Sequence, residues 1–187
     1  MKIIFVTQNS KKIETAQRVL SLYGIEIDQL KIEINEIQTS SIETSCLVSA
    51  TSASKFTSEL FITSSVGYFI NCLNGFPGLY TSYINQTLSS EQILAMITGS
   101  DRSFTVKTGV CLYDPKSQTS KVFISESFGE IAQHPFGEGT SLDRIMIRNG
   151  QNKVQSLYTY DEMIEYYSHN MSHYHQIGKY LNNMALA

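Results

Sequence analysis

Residues 2–24 decide the fold class: Lys2-Ile3-Ile4-Phe5-Val6-Thr7-Gln8-Asn9-Ser10-Lys11-Lys12-Ile13-Glu14-Thr15-Ala16-Gln17-Arg18-Val19-Leu20-Ser21-Leu22-Tyr23-Gly24. Ile3 to Val6 is a short continuous apolar run bounded by the polar turn Thr7 to Ser10, the pattern of a strand buried on both faces in a parallel sheet. Ile13, Ala16, Leu20 and Tyr23 then recur at helical spacing. Asn9 or Ser10 can cap that helix, and Gly24 is its stop signal. Strand, polar turn and helix in this order open an α/β domain.

Working outward, residues 25–37 alternate roughly between polar and apolar, which predicts an extended segment or strand. Residues 42–60 carry small and apolar side chains with helical character, and 61–73 reads as strand material. Asn74-Gly75-Phe76-Pro77-Gly78 is a turn signal, and 89–98 reads as a short capped helix. Two β-rich runs, 103–113 and 121–128, flank Asp114-Pro115-Lys116-Ser117 as in a hairpin with a longer loop. Residues 129–140 are loop-rich and 142–147 reads as a further strand. From 161 to 184 the chain is predicted helical, with Tyr174, Ile177, Leu181 and Met184 on one face. There is no internal repeat and no composition shift that marks a linker. The expectation is one α/β domain over residues 1–187, with two lobes around a cleft.

Bulk properties narrow the function classes. A chain of 187 residues is long enough for one domain with a real core. A formal net charge of −3 argues against nucleic acid or a membrane surface as partner, so a ligand with several phosphates needs a local positive site. Cys46, Cys72 and Cys111 are scattered and form no CxxC pair. They read as reduced core thiols of a cytoplasmic protein, not as a zinc site or disulfide framework. No apolar run approaches the ~20 residues of a membrane span, and the first residues lack the apolar stretch and cleavage site of a signal peptide.

Several short stretches can carry chemistry. The turn Thr7-Gln8-Asn9-Ser10-Lys11-Lys12 presents backbone N–H groups at the positive end of a helix, and Lys12 adds a full charge. It reads either as a phosphate site or as a plain helix start with solvated lysines. Glu33-Ile34-Asn35-Glu36-Ile37-Gln38 puts alternate carboxylates on one side of an extended segment. They can hold Mg²⁺, a hard cation that takes oxygen ligands, or form a wet strand face. His169 and His173 are four apart with His175 nearby, but no H-E-x-x-H accompanies them. Solvated or locally hydrogen-bonded histidines are the better reading.

Taken in order, these blocks resemble the inosine triphosphate pyrophosphatase family, house-cleaning enzymes that cleave non-standard purine nucleoside triphosphates. Thr7, Asn9 and Lys12 match its T-G-N-x-x-K signature, with Gln8 at the glycine. The most specific block is Leu73-Asn74-Gly75-Phe76-Pro77-Gly78-Leu79-Tyr80-Thr81, which resembles L-x-G-x-P-G-x-Y-S. Asp143 matches the end of an F-G-(Y or W)-D segment, with Thr140 and Leu142 in place of its aromatics. Ser172 and His173 match a K-N-x-x-S-H-R block, with Ser168 and Tyr174 in place of its cations. The resemblance departs upstream of Leu73. An acidic pair followed by S-G-L is replaced by Ser64-Ser65-Val66-Gly67-Tyr68, so Ser65 stands where the family has its catalytic aspartate.

The resemblance implies a central mixed sheet with flanking helices, two lobes around a cleft, and a homodimer. It implies hydrolysis of inosine, xanthosine or deoxyinosine triphosphate to the monophosphate and pyrophosphate, with Mg²⁺ held by Glu36. Lys12 and Ser65 take the catalytic positions. Thr7, Gln8, Asn9, Ser10, Lys11, Lys12, Val66, Asp143, His173 and Tyr174 take the substrate-binding ones. A serine hydroxyl is neutral and weakly basic where a carboxylate is ionised, so activity is expected to be weak or altered unless Glu14 or Glu33 substitutes. The alternative is a catalytically inactive relative that binds a nucleotide or a protein.

Overall fold

The computed structural model describes residues 1–34 and 37–185. Its strands are β1 (Lys2–Val6), β2 (Glu26–Leu30), β3 (Phe61–Ile70), β4 (Pro77–Gly78), β5 (Ser103–Asp114), β6 (Thr119–Ile131) and β7 (Met146–Arg148). Its helices are α1 (Ser10–Ser21), α2 (Ile42–Ala53), α3 (Thr81–Thr87), α4 (Ser90–Met96), α5 (Tyr160–Asn170) and α6 (Ser172–Ala185). The strands form one sheet in the order β2-β1-β3-β5-β6-β7, with β4 paired to β3. β1 runs parallel to both β2 and β3, whereas the β3–β4 and β6–β7 pairs are antiparallel. The expected α/β class with a mixed central sheet and flanking helices is borne out. No helix among the described residues is long and apolar enough to cross a membrane.

The chain divides into two compact units, and β3, β5 and β6 contribute to both. The first comprises Met1–Ser65, Thr108–Ser125 and Ile164–Ala187. Its main core joins Ile3 and Phe5 of β1, Ala16 and Leu20 of α1, and Tyr174 and Ile177 of α6. The period of α1 explains its side of that core: Ile13, Ala16, Val19 and Leu20 are buried while Glu14, Gln17 and Arg18 face water. Burying each large side chain contributes about 1.5–3 kcal/mol, more than helix propensity offers. Gly24 follows α1 with φ +68° and donates its N–H to the Ser21 carbonyl at 3.0 Å, the expected stop. Gly178 lets α6 approach Tyr23: a Cβ there would lie 2.4 Å from that ring. A second cluster packs Val6, Cys46, Ala50, Phe61 and Cys111.

The second unit comprises Val66–Lys107 and Glu126–Met163. Its core contains Ile70, Ile93, Ile97, Phe104, Leu142, Ile145 and Met146. Gly67 of β3 passes so close to β4 that a Cβ would stand 2.9 Å from the Gly78 carbonyl oxygen.

Several boundaries differ from the sequence reading. The helix expected over 42–60 ends at Ala53. There the Ser54 hydroxyl turns back to donate to the Thr51 carbonyl at 2.8 Å, a local bond that competes with continuation of the helix. The strand expected over 142–147 begins only at Met146, because the Leu142 carbonyl accepts the Ile145 and Met146 N–H groups in a tight turn. The C-terminal helix is two, α5 and α6, parted at Met171. The extended stretch 25–37 is a strand only over Glu26–Leu30, and Asn35 and Glu36 lie outside the described residues. Helix α3 was not expected; only Thr81 and Ile84 are buried in it, too sparse a pattern to show.

Candidate active site

The site candidates in the first unit are built on the start of α1. Asn9 sits at its N-cap in extended conformation, and its Oδ1 accepts the Lys12 N–H at 3.1 Å. Thr7 Oγ1 accepts the Asn9 N–H at 3.1 Å. These two side chains shape the turn, a cap of the kind worth about 1 kcal/mol. Gln8, Asn9, Ser10 and Lys11 are exposed and Thr7 and Lys12 half-buried. The first turn of α1 carries no acidic residue, so nothing in that turn offsets the positive end of the helix dipole. Lys12 reaches across to β3 and donates from Nζ to the Ser64 carbonyl oxygen at 3.4 Å.

The middle of β3 presents hydroxyls. Adjacent strand residues point to opposite faces, so Ser64 and Ser65 diverge. Ser65 is buried, and its Oγ lies 2.9 Å from Ser45 Oγ on α2. Ser64 Oγ is buried with no hydrogen-bond partner among the described residues. Burial pushes the neighbouring Cys46 thiol above its ordinary range, and hydrogen bonding to Ser65 offsets part of that. Neither hydroxyl is a base: each is neutral, and that of Ser65 is already engaged.

Helix α6 adds His173 and Tyr174. Tyr174 is 1% exposed, stands edge-on to Phe5 at 6.3 Å and donates to the Lys12 carbonyl at 3.5 Å. The phenol, expected to bind substrate, packs in the core and braces α1, and burial pushes its pKa well up. Its phase with Ile177 and Leu181 already pointed there. His173 is fully buried, with Nδ1 2.6 Å from Ser125 Oγ. Burial first, and then the charge of Lys12, hold its pKa down to about 3, so the ring is neutral. Ser168, at the position of the lost lysine, donates to the Ile164 carbonyl at 2.8 Å. The three histidines do not gather. His169 is exposed with Nδ1 3.3 Å from a Glu165 carboxylate oxygen, and His175 Nδ1 lies 3.0 Å from the Tyr23 hydroxyl.

In the second unit Leu142 is buried in the core, and Asn85 Oδ1 accepts both the Ser141 hydroxyl and the Leu142 N–H. Asp143 is half-buried; its N–H donates to Thr140 Oγ1 at 3.2 Å, and its carbonyl accepts the Ser156 N–H. Val66 is half-buried and packs against the core of this unit. Sequence reasoning missed Ser45, Ser125 and Asn85. Each lies inside a regular element at a position that no local motif marks.

The donor set at Ser64 and Ser65 of β3 does not fit a carboxylate-held Mg²⁺. Hydroxyls are poor ligands for a hard divalent ion beside carboxylates. No group of three His, Cys, Asp or Glu side chains suited to a metal occurs among the described residues. Glu36, the expected ligand, lies outside them, and the side chains of Glu14 and Glu33 are exposed.

A family model described as the Ham1 family matches residues 3–179. The dITP/XTP pyrophosphatase of Pyrococcus horikoshii is 34% identical over 165 residues, 87% of each chain. That of Ignicoccus hospitalis is 33% identical over 190 residues, 97% of each chain. A HAM1 protein from Coxiella burnetii superposes with TM-score 0.78 at 20% identity, covering 98% of this chain and 99% of its own. The Staphylococcus aureus Ham1 protein gives TM-score 0.77 at 20% identity over 98% and 100%. These likenesses in structure concern the fold, whereas the matches in sequence concern descent. The span of the family model and the identity of these relatives over most of both chains bear out the resemblance drawn from the sequence: the chain belongs to the Ham1 family.

Proposed function

We propose that the chain is a nucleoside triphosphate pyrophosphatase acting on inosine, xanthosine and deoxyinosine triphosphates. Relatives named dITP/XTP pyrophosphatase support that substrate class and weigh against a purely binding role. The observation that carries the reading is the start of α1: a capped helix N-terminus whose first turn has no acidic residue, with the Lys12 ammonium turned toward the Ser64 carbonyl of β3. Such a turn binds phosphate oxygens by backbone N–H groups and by the dipole.

In this reading water attacks the α-phosphorus. The bond from that phosphorus to its bridging oxygen breaks, pyrophosphate leaves, and the proton of water goes to solvent or to a phosphate oxygen. Lys12 stabilises the charge that develops on the phosphates. Mg²⁺ belongs to this reading as the ion the triphosphate brings with it. With hydroxyls at Ser64 and Ser65 no carboxylate of β3 acts as general base there, which typically costs ~10²–10⁴ in rate. Turnover is therefore slow for this reaction class. Family analogy adds a homodimer in the cytoplasm. The test is pyrophosphate release from a panel of purine triphosphates, with and without Mg²⁺. Inosine and xanthosine triphosphates should lead, and no release above a buffer control across the panel rejects the enzyme.

A further inference from the structure

The first unit holds a pocket of about 360 Å³ between the last turns of α6, the turn end of the β5–β6 hairpin and the start of β1. That volume lies at the low end of the ~300–1,000 Å³ range of small-molecule sites. The pocket is remote from the start of α1. Met1 lines it at one end of β1, and Thr7 follows the other end of that strand, roughly 17 Å along. Leu181 lines it near the end of α6, whereas Tyr174, in the first turn of the same helix, reaches Lys12.

The floor is apolar. Leu60, Leu112 and Leu181 form it, and the last two are buried members of the main core. Met1 and Met184 flank it with flexible thioethers that adapt to an apolar occupant. Two charged side chains stand at the pocket. Asp114 is engaged by its own turn: its carboxylate oxygens accept the Lys116 N–H at 2.9 Å and the Ser117 hydroxyl at 2.8 Å. Lys121 differs. Its Nζ lies 4.0 Å from the centroid of the Tyr180 ring and 5.6 Å from that of Phe123, within cation–π reach of both. Among the described residues it has no hydrogen bond and no carboxylate partner, whereas Lys2, Lys107 and Lys153 each pair with an acidic side chain. The rings hold the ammonium at the pocket wall and leave its charge for an anion from outside. Tyr180 is the one aromatic among the described lining residues, and the ammonium covers its face. The body of that anion is therefore aliphatic, since no ring stands open for it to stack on.

We propose that this pocket binds a small alkyl monocarboxylate, with its chain on Leu60, Leu112 and Leu181 and its carboxylate on Lys121. The inference stands apart from the nucleotide reading, because no residue of the pocket belongs to the start of α1.

The test is NMR of leucine and methionine methyl groups in the full chain, titrated with octanoate, octan-1-ol and octylamine. Octanoate should shift the methyl signals of Leu60, Leu112, Leu181 and Met184 saturably and leave those of the second unit in place. Octan-1-ol and octylamine should bind at least about fivefold more weakly, the upper range for an exposed ion pair. Lys121→Met should bring octanoate and octan-1-ol level, and Lys121→Glu should place octylamine first. Lys121 is exposed, so both variants should keep the wild-type methyl spectrum before ligand is added. Pocket methyl signals that stay in place up to the micelle concentration of octanoate overturn the proposal. So does an order of ligands that neither variant changes, or one in which octylamine leads in the wild type.

Discussion

Replacing Ser65 by aspartate puts the missing carboxylate back in the middle of β3, and its consequences divide into a cost and a gain. The position is buried, so the new charge loses water, and a buried ion typically costs several kcal/mol before compensation. Ser45 Oγ, now 2.9 Å from Ser65 Oγ, can donate to the carboxylate, and a hydrogen bond to a charged group returns about 1.5–3 kcal/mol. Lys12, already bonded to the Ser64 carbonyl, supplies an opposite charge nearby. The net destabilisation should be about 1–3 kcal/mol, which for a chain of this size lowers Tm by about 2–12 °C. The gain is a metal site. An ion present at ~100 times its Kd returns about 2.7 kcal/mol to the folded state. Differential scanning fluorimetry against Mg²⁺ concentration reads both effects. Ser65→Asp should start lower than the wild type and recover most of its loss as Mg²⁺ rises, while the wild-type Tm stays flat. A wild type that gains as much from Mg²⁺ as the variant, or a variant that gains nothing, refutes the reasoning.

Other perturbations act on other parts of the account. Lys12→Met removes an ammonium that makes charge-assisted bonds worth about 1.5–3 kcal/mol, so nucleotide affinity by calorimetry should fall roughly 10- to 150-fold with the fold intact. Tyr174→Ala should destabilise by about 3–5 kcal/mol, as large aromatic truncations in cores do. Tyr174→Phe should stay within about 1 kcal/mol, because it loses only the long bond to the Lys12 carbonyl; denaturant melts separate the two. His173 has a folded pKa of about 3 against an ordinary 6.5. The unfolded chain therefore binds the proton first, and the stability held above pH 6.5 is lost as pH falls toward 3. Between pH 6.5 and 4.5 the loss from this group is roughly 2–3 kcal/mol, and His173→Gln should flatten that part of the stability profile in urea melts.

The sequence carried the elements whose burial pattern is local. Ile3 to Val6 and the i, i+3, i+4 spacing of α1 are set by one sheet face and one core, so both appeared with nearly correct ends. Elements that depend on distant partners did not. The turn at Leu142 to Ile145 is held by Asn85, 57 residues away, and α3 has too few buried positions to show a period. At the site, the cap residue Asn9 and the reach of Lys12 follow from the turn itself, whereas the partners of Ser65 and His173 come from α2 and β6. Tyr174 shows the limit most clearly. Its motif position pointed to a ligand, its helical phase pointed to the core, and the phase described its surroundings.

The most direct measurement is a crystal structure of the full chain with a non-hydrolysable inosine triphosphate analogue and Mn²⁺, whose anomalous signal marks the ion. Phosphate oxygens should lie against the backbone of residues 8–12 with Lys12 Nζ in hydrogen-bond contact, and the ion should sit on the phosphates without a bond to Ser64 or Ser65. Phosphates bound away from the start of α1, or an ion coordinated by the two serine hydroxyls, would contradict the account.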